Sequence, residues 1–249
     1  MAPKQQLGGP FELLESATGR PTTDADIFSD RWTLLYFGFS KCAEVCPNTL
    51  RFLAELMDAC DVAYGNTRVD GAAPFHIAKK EDEEAIREAT AASPDTAAKQ
   101  AKLQTVFVSV DYVRDAPPVL DAFLQRYRET QPDPARIRGL CGGKDAVEQA
   151  ARVWRVYFSS MDETEEERLA REAKGVDAPK PIDDTFQFDH SSAIYLVGPD
   201  GKMKDFFFRE MGLQNALDRV GVHYDDVYGF SDTRTKPDDE APAAGGQVK

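Results

Sequence analysis

The stretch "WTLLYFGFSKCAEVCPNTLRFLAELMDAC", Trp32 to Cys60, decides the fold. Trp32 to Phe39 form a continuous apolar and aromatic run with polar residues on either side. Such a run reads as a strand buried on both faces, central in a sheet. From Pro47 onward, Leu50, Leu53, Ala54, Met57 and Cys60 recur three and four residues apart. That spacing predicts a helix with one apolar face. Pro47 suits its first turn, where a missing N–H costs nothing. Cys42 and Cys46 sit between strand and helix.

The same alternation continues outward. "FELLES" reads as a short strand or an extended entry. "LQTVFVSVD", Leu103 to Asp111, is a second buried strand. "APPVLDAFLQRYRE" is a helix through Val119, Phe123, Leu124 and Tyr127, and "RIRGL" is a short strand. "KDAVEQAARVWRVYF" predicts a helix with Val147, Ala150, Ala151, Trp154 and Phe158 inward. "SSAIYLVGPDGKMKDFFFRE" is a hairpin: Ala193 to Val197, a turn at Gly198–Gly201, then Met203 to Phe208. "GLQNALDRVGV" closes as a helix. Residues 66–102 and 160–182 are charged, poor in large apolar residues, and read as surface insertions. Residues 1–9 are expected to be a flexible leader and 231–249 a disordered tail, leaving one domain over 10–230. Strands alternating with helices and ending in a hairpin give an α/β fold with a mixed central sheet flanked by helices.

The 249 residues carry a net charge of −13. A nucleic-acid binder needs a basic face, and docking on anionic lipid needs a polybasic patch; neither is present in this balance. Four cysteines are too few for a disulfide scaffold at this length. No stretch reaches the roughly 18 consecutive apolar residues of a spanning helix, and "MAPKQQLGGP" lacks the pattern of a secretory signal. The residues at hand are expected to be soluble, with any anchor of a longer precursor outside them.

Cys42 and Cys46 lie where a helix begins at the carboxyl end of a strand. Unpaired N–H groups and the helix dipole favour thiolate there, and four-residue spacing places both sulfurs on one side of the first turn. This is also where α/β sheets bind ligands. Spacing alone leaves three readings open: a redox pair, a soft-metal site, or two buried small hydrophobes. The histidines are His76, His190 and His223. His76 lies within the first insertion, and His223 is expected to follow the last helix, where it suits the C-terminal end of the helix dipole. His190, in "FQFDHSSAIYLVGPDG", precedes the hairpin strand, whose start can fold back toward the cysteines.

Taken together, "FGFSKCAEVCP", "VFVSVDYVRDAPPVLDAF", "GKDAVEQAARVWRVYFS" and "FDHSSAIYLVGPDGK", in that order, resemble the Sco/SenC family of thioredoxin-fold copper proteins. The resemblance implies a thioredoxin-like fold holding one copper ion per chain, Cu(I) or Cu(II), on Cys42, Cys46 and His190. It implies an assembly factor for the dinuclear copper centre of cytochrome c oxidase subunit II, with that subunit and other copper chaperones as partners. The family is tethered by an N-terminal membrane helix in the mitochondrial inner membrane, facing the intermembrane space, or in the bacterial periplasm. A second reading is a thiol-disulfide oxidoreductase using Cys42 and Cys46 without His190. The family's Asp-x-x-Arg-Asp pattern falls on Asp111, Arg114 and Asp115. Asp111 and Asp115 are candidates to support the ligands, although Asp115 also suits the cap of the helix at Pro117. Asp189 is a further candidate to orient His190. Ala43 departs from the proline often found after the first cysteine. Cys60 is expected to be buried on its helix, and Cys141, before Gly142-Gly143, more exposed.

Overall fold

The structure is a computed structural model that describes residues 7–29, 31–64, 103–175 and 182–228. The first expected insertion and the expected tail lie outside these residues, as do positions 176–181 of the second insertion. Its core is a seven-stranded mixed sheet in the order β2-β1-β5-β4-β3-β6-β7. The strands are β1 (Glu12–Glu15), β2 (Pro21–Thr23), β3 (Trp32–Gly38), β4 (Leu103–Ser109), β5 (Ile137–Cys141), β6 (Ile194–Val197) and β7 (Met203–Phe207). β3, β4 and β5 run parallel, and the flanking pairs run antiparallel. Every residue of β3 and β4 is buried, as expected for central strands covered on both faces. The fold is thioredoxin-like α/β, matching the sequence-based expectation.

Six helices accompany the sheet among the described residues: α1 (Asp24–Phe28), α2 (Val45–Ala63), α3 (Pro117–Arg128), α4 (Lys144–Val153), α5 (Glu165–Ala173) and α6 (Leu213–Tyr228). The pleat sorts them onto two faces. Tyr36 points toward α2, and Tyr224 of α6 packs on Trp32 at 5.0 Å and on Tyr64 at 5.1 Å. Leu35 and its cross-strand partner Tyr195 point the other way, where Trp154 meets Tyr195 at 5.4 Å and Phe28 at 5.8 Å. No described helix is long and apolar enough to cross a membrane.

One stretch carried no expectation, and three local expectations are corrected. Residues 21–28 form a strand and a short helix, closed by a Thr23–Asp26 capping box, where sequence periodicity was too short to show. The helix expected over "KDAVEQAARVWRVYF" stops at Val153, because Arg155 adopts φ 53° and breaks the helical path. Phe158 is thereby freed to bridge His190. Cys141 is not in an exposed loop; it ends β5, pairs with Leu14 and is 1% exposed. The closing helix continues past Val222 to Tyr228. Within 160–182, α5 has a Thr164–Glu167 capping box and no buried residue, as a solvated excursion should. At the amino end, Leu7 packs on the core and the Gly8 N–H donates to Val153 O at 2.9 Å.

Candidate metal centre

β3 ends at Gly38, and the chain turns through residues 39–44 into α2. A Cβ at Gly38 would fall 2.7 Å from Cys46 Sγ and 2.9 Å from the Phe107 ring, so only glycine lets the sulfur settle against the strand. Cys46 is fully buried and Cys42 is partly exposed. The Cys46 N–H, in the first turn of α2, donates to Cys42 Sγ at 3.4 Å. The Cys42 thiol is pushed down to about 3, chiefly because Cys46 donates to it, with help from His190 and the backbone N–H groups and against the effect of burial. Cys46 is pushed up, first by the hydrogen bond it donates to Cys42 and then by burial. The pair is polarised: an outer thiolate and an inner protonated sulfur.

His190 arrives from the far side of the sequence. It forms an antiparallel bridge with Phe158, flanked by Ser159 N–H to Asp189 O at 2.8 Å and Ser191 N–H to Tyr157 O at 3.0 Å. Its Nε2 lies 3.7 Å from Cys46 Sγ, and its Nδ1 lies 3.0 Å from the Ser191 carbonyl. A carbonyl only accepts, so Nδ1 carries a proton toward Ser191, and Nε2 is the nitrogen that faces the sulfurs. Phe39 and Tyr36 hold the ring edge-on at 5.7 and 6.2 Å. Asp189 does not orient the ring: the residue is exposed, and it is the Ser191 carbonyl that meets Nδ1.

The two candidate supporting carboxylates hold different segments. Asp115 does not cap α3, whose N-cap is Ala116. Its carboxylate accepts from Ser40 N–H at 2.8 Å, from Ser109 Oγ at 2.6 Å and from Ser40 Oγ, tying the cysteine loop to the end of β4. Burial raises its pKa despite these bonds. Asp111 accepts from the backbone N–H and the guanidinium of Arg114. Arg114 in turn donates to the carbonyls of Asp183, Asp184 and Phe186 at 3.0–3.2 Å and lies 5.6 Å from the Phe188 ring. One buried guanidinium therefore fixes the segment leading to His190.

Cys42, Cys46 and His190 thus converge, while Asp115 touches the cysteine loop only at Ser40 and Asp111 reaches the 183–186 segment only through Arg114. All four cysteines are free. Cys60 is buried away from the pair, and burial pushes the Cys141 thiol up to about 11. His223 Nε2 lies 3.5 Å from Asp205, apart from the cysteines; His76 lies outside the described residues. Among the described residues no group of three or more His, Cys, Asp or Glu side chains is close enough to hold a metal as it stands, and the Cys42 sulfur accepts the Cys46 N–H. Sequence reasoning named Arg114 only as part of a pattern and missed Gly38, Ser40 and Tyr36. No local periodicity marks any of them, since each acts on a residue distant in sequence or in the next element.

The SCO1/SenC family model matches residues 1–69 and 84–222. The chain is 29% identical over 204 residues to the human mitochondrial SCO1 homolog, covering 82% of this chain and 48% of that protein. It is 28% identical over 215 residues to the mouse mitochondrial SCO2 homolog, covering 86% and 61%. The chain therefore spans about half to three-fifths of these relatives. A crystal structure of yeast Sco1 with copper bound superposes with a TM-score of 0.60 at 26% identity, covering 88% of each chain. The chain belongs to the SCO1/SenC family.

Proposed function

We propose that this domain, residues 10–230, carries one copper ion on Cys42, Cys46 and His190 as cargo for cytochrome c oxidase assembly. The observation that supports it is the meeting of Cys46 Sγ and His190 Nε2 at 3.7 Å across 144 residues of sequence. Two soft thiolates suit Cu(I), and the added imidazole makes the set acceptable to Cu(II). The residues present fit the ion: Cys42 is already a thiolate, His190 turns Nε2 toward the sulfurs, and Gly38 leaves the inner sulfur room. To hold the ion, Cys42 Sγ would give up the Cys46 N–H it now accepts. The copper-bound yeast relative supports the same cargo. The destination is the dinuclear centre of subunit II, with other copper chaperones as donors. The site of action is the intermembrane-space face of the mitochondrial inner membrane, or the periplasm if the source is bacterial.

The polarised pair favours a second activity, reduction of disulfides in that subunit or in another chaperone. The Cys42 thiolate attacks one substrate sulfur, forming a mixed disulfide and releasing the other substrate sulfur. Cys46 then gives up its proton and attacks Cys42, releasing the first. The substrate gains two electrons from the pair and two protons, one from Cys46 and one from solvent, while the pair becomes a disulfide.

An anaerobic copper titration of the reduced protein tests the first reading. One equivalent should bind, and binding should fall sharply in His190→Ala; no binding of either copper state overturns it. Single-turnover reduction of a disulfide substrate tests the second. It should survive His190→Ala and vanish in Cys42→Ala.

A further inference from the structure

The cysteine pair has a neighbour that neither the ligand set nor the two carboxylates use. Tyr36, in the middle of β3, is fully buried. Its hydroxyl donates to Cys46 Sγ at 3.7 Å. Beside the phenol oxygen lies the side chain of Thr49, one helical turn beyond Cys46 and 1% exposed. A phenol has one proton to give, and here the sulfur receives it. Phe107 at 5.9 Å and His190 at 6.2 Å wedge the ring in this place. Cys42, by contrast, takes its N–H bonds from the backbone at the start of α2.

We propose that Tyr36 is a positioning residue whose hydroxyl, beside Thr49, stabilises the reduced Cys46 sulfur relative to a Cys42–Cys46 disulfide. The inference rests on reading the two cysteines as one functional pair, and it does not need copper. The reduced pair shares a negative charge through the Cys46–Cys42 hydrogen bond, and a sulfur carrying part of that charge accepts a hydrogen bond better than a neutral disulfide sulfur does, so the bond is worth more before oxidation than after. Around the metal, the same hydrogen bond tunes the thiolate. A site kept reduced is also one kept able to bind a metal.

The test is a glutathione redox titration of the metal-free protein. Glutathione disulfide oxidises the pair, forming the Cys42–Cys46 bond and releasing two glutathione thiols, and the fraction oxidised is read by alkylation and mass. Tyr36→Phe keeps the ring and removes the donor. It should move the equilibrium about threefold to tenfold toward disulfide, where tenfold corresponds to about 30 mV for this two-electron couple. Thr49→Val should move it the same way by less. Thr105→Val removes a buried hydroxyl that instead meets Met57 Sδ at 3.5 Å, and should leave the equilibrium where it was. The proposal is overturned if Tyr36→Phe stays within about twofold of wild type, or if Thr105→Val shifts as far as Tyr36→Phe. Should Tyr36→Phe not fold, Thr49→Val decides: a shift toward disulfide supports the proposal and no shift overturns it. Copper is absent throughout, so a failed copper titration and a failed redox titration reject different statements.

Discussion

Two segments meet at the site, and they are held by different means. The cysteine segment, residues 40–46, is continuous with β3 on one side and α2 on the other, so its path is set by two strong elements. Asp115 adds only the last constraint, at Ser40. The histidine segment, residues 183–190, belongs to no strand or helix apart from one bridge to Phe158. Its carbonyls converge on Arg114, which is itself neutralised by Asp111. One loop is placed by regular structure; the other is gathered by one buried cation, with the Phe158 bridge at its end and Gln187 bonded to Lys41 and Ala43. The histidine side is therefore the more fragile half of the site.

Breaking the cation should have the largest effect. Arg114→Met leaves the Asp111 carboxylate buried without its partner and three carbonyls without a donor. Loss of a buried partner of this kind costs about 3–5 kcal/mol, read by urea unfolding of the metal-free protein. Copper affinity should fall by about 10–100-fold as His190 loses its support. The double variant Asp111→Asn/Arg114→Met should recover part of the stability but not the affinity.

Asp115→Ala comes next. It strands the Ser40 N–H and two hydroxyls in a mostly buried place, for a loss of about 1–3 kcal/mol. Copper affinity should suffer less than in Arg114→Met, because β3 and α2 still hold both cysteines. An equal loss of affinity in the two variants would refute the contrast.

The surface link between the segments should matter least. Lys41 Nζ lies 2.6 Å from Asp184, but the side chains are 38% and 77% exposed. Exposed ion pairs contribute little, so Lys41→Ala should leave both unfolding and copper affinity unchanged.

The two sulfurs differ as sharply as the two loops. With its thiol pushed down to about 3, Cys42 is ionised at pH 6, well below the range in which an ordinary thiol ionises. Iodoacetamide at that pH should modify Cys42 first. Cys46, Cys60 and Cys141, all buried, should react only on unfolding. Equal rates at Cys42 and Cys46 would remove the polarisation.

The same contrast governs what the sequence made legible. Trp32–Phe39 and the apolar face from Leu50 to Cys60 are periodic, so β3, α2 and the cysteines between them could be read directly. His190 has no such signal, and only its place within a family-like order of motifs set it apart from His76 and His223. Arg114 was unreadable as a clamp because its acceptors lie about 70 residues away in a segment with no periodicity. Tyr36 reads as one more core aromatic, since apolar patterning says nothing about where a hydroxyl points. The break at Arg155 was hidden because Trp154 and Phe158 continue an apolar spacing that the backbone does not follow.

X-ray absorption at the copper edge of the loaded, reduced protein tests the three-residue site most directly. Copper in wild type should be bonded to two sulfurs and one nitrogen, with the nitrogen lost in His190→Ala and a sulfur lost in either cysteine variant. A shell of oxygen and nitrogen alone, or one that His190→Ala leaves unchanged, would contradict it.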